Sequence, residues 1–174
     1  MMTGNGTKPR AAWIGLGANL PSRIGGPKET LAAARARIGE LPETRVTAAS
    51  SLYESAPVDA GGPPFINQVL RVETALPALS LLEGLQAIEL AFGRERPFRN
   101  APRTLDLDLL LMVGETRTDA MLTLPHPRLH ERLFVLMPLA EIDADLHVPG
   151  LGTTATLLAQ LMATKHGQDC RRLV

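Results

Sequence analysis

Apolar residues recur along this chain with two different spacings, and these spacings divide it into helices and strands. Residues 28–41 and 77–92 carry apolar side chains at helical spacing, which predicts two amphipathic helices, and residues 154–162 predict a final one. Pro77 stands at the start of the second helix and Gly93 just past its end, which is the asymmetry typical of helix termini.

Strands are indicated by shorter runs that are apolar or alternate between apolar and polar; they cover residues 11–16, 46–53, 65–74 and 105–113. In the third run the alternation slips once, around residues 68–70. The order strand, helix, strand, strand, helix, strand predicts a ferredoxin-like α+β fold (βαββαβ), in which one antiparallel sheet carries helices on one face, followed by C-terminal additions. We expect a single domain over residues 1–174, with residues 1–10 flexible.

The amino-acid composition argues against some classes of binding partner. Hydrophobic residues make up 45% of the chain, enough for a core, and aromatic residues only 3%. The 18 basic and 18 acidic residues cancel, which argues against a nucleic acid or a membrane held by general electrostatics. The single cysteine, Cys170, cannot form an internal disulfide, and no run approaches the ~20 apolar residues of a membrane span, so a cytoplasmic location is expected.

The run PRTLDLDLLLM, residues 102–112, places two acids inside an otherwise apolar strand. Because successive side chains alternate across a strand, Asp106 and Asp108 share one face, with Cα atoms roughly 6.6 Å apart, while the leucines beside them face the core. Two carboxylates at this spacing suit Mg²⁺ bridged by phosphate oxygens. The alternative is an exposed strand face on which the acids are solvated or paired with arginine.

Arginines crowd the loop that leads into this strand: Arg94, Arg96, Arg99 and Arg103. Guanidinium groups beside an acidic pair fit a phosphate-and-metal site, because each can hold two phosphate oxygens. Ordinary pairing between arginine and aspartate is the open alternative. The loop GRERPFRNAPR is long and contains Gly and Pro, and we interpret it as a mobile lid.

Two further motifs carry weaker signals. HPRLH spaces His126 and His130 as two zinc ligands on a helix would be, but Pro127 disfavours helical geometry at His126, so zinc is not expected. GLGANLP lacks both the GK[ST] of a phosphate loop and the third glycine of a dinucleotide fingerprint, and it predicts a tight turn after the first strand. Phosphates would then be held by arginine, histidine and metal.

Two blocks, GRERPFRNAPRTLDLDLLLM and LTLPHPRLHERLFVLMPL, resemble the 6-hydroxymethyl-7,8-dihydropterin pyrophosphokinase family of folate biosynthesis. IGLGANL, SSLYESAPV and FINQVLRVET resemble further segments of that family in the right order. The resemblance runs from Trp13 to Pro149. It implies transfer of the terminal diphosphate of ATP to the pterin hydroxymethyl group, with release of AMP, by an enzyme that uses two Mg²⁺ ions.

The resemblance also implies roles for individual residues. Asp106 and Asp108 match the metal ligands, and Arg94 and Arg103 match the catalytic arginines. The positions that match the ATP site are Gln86, Glu89, Arg96, Thr123, His126 and Arg132. Those that match the pterin pocket are Ser55, Ala56, Val58, Phe65, Asn67 and Phe134. The helical pattern independently puts Gln86 and Glu89 on one stripe, one turn apart.

The sequence departs from the family pattern at two places. Asn100 stands where some relatives have a tryptophan in the loop, and Met121 replaces a basic residue near the nucleotide. Two alternative functions stay open: a nucleic-acid-binding module on the same fold, which zero net charge and few aromatics disfavour, and a phosphotransferase with another hydroxylated acceptor. We expect a monomer with small-molecule substrates only.

Overall fold

The computed structural model describes residues 7–57, 61–93, 103–164 and 167–174. The long strands of its main sheet are β1 (Arg10–Ala18), β2 (Thr44–Ala49), β4 (Phe65–Thr74) and β5 (Asp106–Met112), and the short ones are β3 (Tyr53–Ser55) and β10 (Cys170–Arg172). The four α-helices of these described ranges are α1 (Pro27–Gly39), α2 (Ala78–Ala91), α3 (Leu133–Ile142) and α4 (Thr154–Met162), and a short 3-10 helix covers Leu129–Glu131. Two small hairpins, β6–β7 (Arg117–Thr118, Thr123–Leu124) and β8–β9 (His147–Val148, Gly152–Thr153), complete the strands.

The main sheet has six strands in the order β10-β3-β4-β1-β5, with β2 also paired to β4, and every pair is antiparallel. The predicted antiparallel sheet of a mixed α and β fold is therefore confirmed. β1 begins at Arg10, which pairs with Thr74, so the ordered sheet reaches into the stretch that was expected to be flexible.

The predicted helices are confirmed to within about one turn. α2 ends at Ala91, and Gly93 just beyond it has a φ of 77°, the left-handed conformation that a helix C-terminus favours in glycine. None of the helices in the described ranges is both long enough and apolar enough to cross a membrane.

The sheet is covered on both faces, because its strands alternate between two cores. Ala12, Ile14 and Leu16 of β1 pack against one core together with the buried stripes of α1 and α2. Trp13 packs against the other, with α3 and α4. The prediction of helices on one face thus describes α1 and α2, whereas α3 and α4 cover the opposite face.

Coverage of both faces also explains the alternation of β4, which does not slip. Gln68 and Leu70 face the α1 side, and Asn67 and Val69 face the α3 side, in regular succession. Gln68 is polar yet buried, and its Nε2 donates to the Ser50 carbonyl at 2.8 Å. A strand between two cores has no polar face, so its sequence pattern is irregular although its geometry is regular.

The predicted strand 46–53 is divided in two. β2 ends at Ala49, and β3 begins at Tyr53. At Ser50 the hydroxyl accepts from the Val69 amide at 3.0 Å, while the Ser50 amide donates to the Val69 carbonyl at 2.9 Å. The side chain thus takes a hydrogen bond that a continuous strand would have made through its backbone.

Hydrogen bonds fix α3 over β3. The hydroxyl of Tyr53 donates to Glu141 Oε2 at 2.6 Å, and the same carboxylate accepts from the amide and hydroxyl of Ser51. Burial, followed by this hydrogen bond, raises the pKa of Tyr53 above its usual range. The second layer of helices is therefore anchored at the edge of the sheet where the short strands lie.

Substitution of a buried and an exposed leucine of α2 tests how much core packing contributes to the free energy of unfolding. Leu85 is fully buried in the core, and Leu90 on the same helix is 70% exposed. We expect Leu85→Ala to lower the free energy of unfolding by about 2–5 kcal/mol, through lost burial and a cavity. Leu90→Ala should change it by less than about 0.5 kcal/mol. Urea unfolding measures both, and equal effects would contradict this packing.

Candidate active site

The two acids of β5 lie on the face of the strand opposite its core leucines. Leu107 and Leu109 pack with α1 and α2, so Asp106 and Asp108 face the α3 side, which confirms the prediction that they share a face. Their partners across the ladder are Gly17 for Asp106 and Gly15 for Asp108. Because directly opposed residues share a face, the two β1 positions nearest the carboxylates place no side chain against them.

Arg103 is paired with the first acid. Its NH1 lies 2.6 Å from Asp106 Oδ2, and both side chains are mostly buried, 18% and 17% exposed. The arginine–aspartate pairing that the sequence left open is therefore present for this arginine. The guanidinium is held beside the acidic pair, where it offsets the repulsion between the two carboxylates.

Asn19 holds the backbone of Arg103 and was missed by the sequence reasoning. The side chain is 3% exposed, and its Oδ1 accepts from the Arg103 amide at 2.9 Å. The amides of Asn19 and Leu20 both donate to the Arg103 carbonyl at 3.1 Å, and Asn19 Nδ2 donates to Pro63 at 3.2 Å. The predicted turn after β1 thus joins the segment that leads into β5 to the segment that leads into β4.

His126 lies within electrostatic reach of Asp106. Burial lowers its pKa to about 4, Arg132 and Arg128 act in the same direction, and Asp106 opposes them. Its Nδ1 accepts from the Arg128 amide at 3.1 Å. The imidazole is therefore neutral at pH 7 with its proton on Nε2, and it can donate a hydrogen bond from that atom.

Arg132 is a second cation near the acids. Burial lowers its pKa, while Asp108 and then Asp106 oppose that shift. The guanidinium carbon lies 5.6 Å from the centre of the Phe134 ring, a cation–π distance. His126 and Arg132 lie in the segment that follows the β6–β7 hairpin. The tertiary structure thus brings both residues close to the aspartates of β5.

The remaining nucleotide candidates are spread more widely. Thr123 begins β7, next to β5. Gln86 is exposed on α2, whereas Glu89 is 1% exposed and its Oε1 accepts from the Leu107 amide at 2.7 Å. The two residues of the predicted stripe therefore differ in burial, and the carboxylate of Glu89 turns toward the backbone of the acid-bearing strand.

The pterin-pocket candidates cluster on β3 and β4. Asn67 Nδ2 donates to Ser55 Oγ at 2.8 Å, and both residues are buried. Asn67 is opposite Gly17, which is in turn opposite Asp106, so the amide and the acid lie in one row across the sheet. Phe65 is partly buried opposite Ser55, and Ala56 follows at the end of β3.

Some predictions fall outside the described residues: Val58, Arg94, Arg96, Asn100 and the interpretation of residues 93–103 as a lid. Met121, the other departure from the family pattern, is 68% exposed. Within the described ranges, no three His, Cys, Asp or Glu side chains are grouped so that they could hold a metal by themselves.

Comparison with known proteins identifies the class. The sequence pattern described as 7,8-dihydro-6-hydroxymethylpterin-pyrophosphokinase (HPPK) matches residues 13–144. The chain belongs to this family.

Curated relatives carry the name 2-amino-4-hydroxy-6-hydroxymethyldihydropteridine pyrophosphokinase. The protein of Pseudomonas aeruginosa is 46% identical over 139 residues, 79% of this chain and 83% of the relative. That of Bacillus subtilis is 44% identical over 133 residues, 75% of this chain and 77% of the relative. The fold is similar to a crystal structure of wild-type HPPK-DHPS from Plasmodium falciparum with pteroate, with a TM-score of 0.66 at 15% identity, covering 88% of this chain and 42% of that one.

The depressed pKa of His126 predicts a dependence of stability on pH. Between the ordinary value of 6.5 and about 4, the unfolded chain binds more protons than the folded one, so stability should fall as the pH is lowered through this window. In His126→Asn the new amide oxygen can still accept from the Arg128 amide. The free energy of unfolding of this variant should therefore fall by roughly 1–2 kcal/mol less between pH 7 and pH 5 than that of the unsubstituted protein. Urea unfolding at both pH values measures it.

His147→Asn is the matched control, because this histidine is exposed on β8. Between pH 7 and pH 5, the free energy of unfolding of this variant should fall by as much as that of the unsubstituted protein. If His126→Asn also loses as much stability as the unsubstituted protein, the buried neutral state of His126 is contradicted.

Proposed function

We propose that this protein transfers the terminal diphosphate of ATP to the hydroxymethyl group of 6-hydroxymethyl-7,8-dihydropterin in folate biosynthesis, giving the pterin diphosphate and AMP. The observation that carries the proposal is the pair Asp106 and Asp108, on one face of β5 and opposite two glycines, in a chain of the HPPK family. The names of the curated relatives support the same activity.

The donor set at the acids supports a site for two Mg²⁺ ions. Two carboxylates are present, and the described residues offer no larger group of acids, histidines or cysteines. This suits Mg²⁺, which usually binds through one or two carboxylates and takes its other ligands from substrate phosphates and water. Asp106 and Asp108 would hold the ions, whose charge would stabilise the negative charge of the transferring group.

The basic residues around the acids would bind and orient the triphosphate. Arg103, and Arg94 from the preceding loop, would donate to the oxygens of the transferring diphosphoryl group as its charge develops. Arg132 would hold a further phosphate. His126 would donate from Nε2, since its Nδ1 is already an acceptor of the Arg128 amide. We also propose Gln86, Glu89, Arg96 and Thr123 as residues that line the ATP site.

The acceptor would bind on the β3–β4 side of the acids. Because Asn67 Nδ2 is engaged with Ser55, its Oδ1 is the atom that would accept from N–H groups of the pterin. Phe65 and Phe134 would stack on the flat ring, and Ser55, Ala56 and Val58 would complete the pocket. The row from Asn67 across Gly17 to Asp106 supports a pterin placed with its hydroxymethyl group toward the metal.

We further propose that the fold is ferredoxin-like. The order β5-β1-β4-β2, with α1 and α2 on the same face, supports this topology. The helices α3 and α4 and the strand β10 would be C-terminal additions to it. The chain would act as one domain and as a cytoplasmic monomer, with no nucleic-acid partner.

The identity of the nucleotide product tests the function. The hydroxymethyl oxygen would attack the β-phosphorus and the bond from that phosphorus to the α-phosphate would break, so AMP should form one for one with consumed pterin. Label on the γ-phosphate of ATP should appear in the pterin product. Chromatography of reactions with ATP, Mg²⁺ and the pterin measures both. ADP as the stoichiometric product would contradict the proposal.

Two controls belong to this experiment. Asp106→Asn removes one carboxylate charge at almost the same volume, so its turnover should fall by at least about 100-fold if the acid holds metal. Chelation of Mg²⁺ by EDTA should stop AMP formation, and added Mg²⁺ should restore it.

A substitution at Gly17 tests whether Asn67 binds the pterin in the proposed acceptor site. A Cβ at Gly17 would lie 3.3 Å from Asn67 Oδ1, while a Cβ at Gly15 would make ordinary contacts, at 3.5 Å or more, with Leu110. Because Ser55 holds the Asn67 amide, Gly17→Ala should raise the KM for the pterin about tenfold, whereas Gly15→Ala should leave it within about twofold. Steady-state kinetics with varied pterin measures this, and equal effects of the two substitutions would argue against it.

A further inference from the structure

The last described residues of the chain, 167–174, run beside the candidate site although they follow the stretch that matches the family, residues 13–144. The Asp169 carbonyl accepts from the Ala56 amide at 3.1 Å, β10 pairs with β3, and the Leu173 amide donates to Leu52 at 2.8 Å. This segment therefore forms the edge of the sheet next to the proposed pterin pocket.

Gln168 joins this C-terminal segment to the backbone around Arg132, one of the proposed ATP-binding residues. Its Oε1 accepts from the Leu133 amide at 2.9 Å, and its Nε2 donates to the Glu131 carbonyl at 2.7 Å. These two backbone groups flank Arg132. One side chain, remote in sequence, thus holds the peptide groups on both sides of a proposed ATP-binding residue.

The local structure around Arg132 shows why such a contact matters. Arg132 is the N-cap of α3, and its own side chain makes no capping hydrogen bond. The first amide of the helix, at Leu133, has no acceptor within the helix and is satisfied by Gln168 instead. A guanidinium has only donors and cannot cap this helix itself, so the acceptor for the Leu133 amide comes from Gln168. The Arg132 side chain lies near Phe134 and within electrostatic reach of the acidic pair.

We propose that Gln168 is a positioning residue: it fixes the backbone of Arg132, and through it the guanidinium, for binding of the ATP phosphates. The inference rests on the proposed function, since it assigns Arg132 to the nucleotide. The Arg132 carbonyl also accepts from the amides of Val135 and Leu136, so the peptide group after Arg132 keeps a second restraint if Gln168 is replaced. Loss of the Gln168 contacts would release the Glu131 carbonyl and leave the Leu133 amide without its acceptor. A turn of the peptide group before Arg132 would move the guanidinium, at the end of a long side chain, by more than the backbone itself.

Binding of an ATP analogue separates this role from a purely structural one. We expect Gln168→Ala to weaken the binding of α,β-methylene ATP with Mg²⁺, measured by calorimetry, about tenfold. Thr153→Ala is the matched control, because it removes the side-chain acceptor of the Thr156 amide at the N-terminus of α4. It should lower the unfolding midpoint similarly and leave nucleotide affinity within about twofold. Equal affinity of the two variants would overturn the proposal.

Gln168→Glu keeps an acceptor for the Leu133 amide but cannot donate to Glu131. We expect its unfolding midpoint to lie closer to that of the unsubstituted protein than the midpoint of Gln168→Ala does. We still expect it to bind the nucleotide analogue more weakly than the unsubstituted protein. A Gln168→Glu variant that binds the analogue as the unsubstituted protein does would overturn the two-sided contact with the Arg132 backbone. This variant also provides the test should Gln168→Ala fail to fold.

A double-substitution cycle tests whether Gln168 acts through Arg132. In an Arg132→Ala background, Gln168→Ala should weaken analogue binding by less than about twofold, because the group it positions is gone. An undiminished effect in that background would overturn the proposal. Release of AMP by the unsubstituted protein is measured in parallel: its absence refutes the proposed function, whereas AMP release with no effect of Gln168→Ala on binding refutes this inference alone.

Discussion

Two carboxylates on one face of one strand repel each other, and the surroundings of Asp106 and Asp108 offset that repulsion. Arg103 is paired with Asp106 at 2.6 Å, and Arg132 lies within electrostatic reach of both acids. The residues of β1 directly opposite the two acids are glycines, which have no side chain. The proposed transfer of a diphosphate depends on this arrangement, because cations beside the acids would help to bind the negative charge of a triphosphate.

The two cations are held from different parts of the fold. Asn19, at the end of β1, fixes the backbone of Arg103, and Gln168, in the C-terminal segment, fixes the backbone around Arg132. Neither residue carries charge, and each binds peptide groups rather than the guanidinium itself. The charged side chains therefore keep their own donors for the acids and for the phosphates that we propose they bind.

The second layer of helices makes this arrangement possible. In a sheet covered on one face, the acids of β5 would face solvent, and the pKa of His126 would not be depressed by burial. Here α3 and α4 cover part of the opposite face, and the carboxylate of Glu141 anchors α3 to β3. The site thus lies between a sheet that carries the acids and a layer that carries Arg132 and Phe134.

The sequence by itself determined the strand that carries the acids, their common face, the main helices and the family, because these depend on local periodicity and on contiguous motifs. Tertiary structure decided the rest. The strand over 65–74 is confirmed although its sequence alternation slips, since burial on both faces leaves it without a polar face. The single strand predicted over 46–53 was wrong, because the Ser50 hydroxyl takes the place of a backbone hydrogen bond there. The contacts of Asn19 with Arg103, of Glu89 with Leu107 and of Gln168 with the Arg132 backbone join residues far apart in sequence, and such contacts leave no periodic trace in the chain.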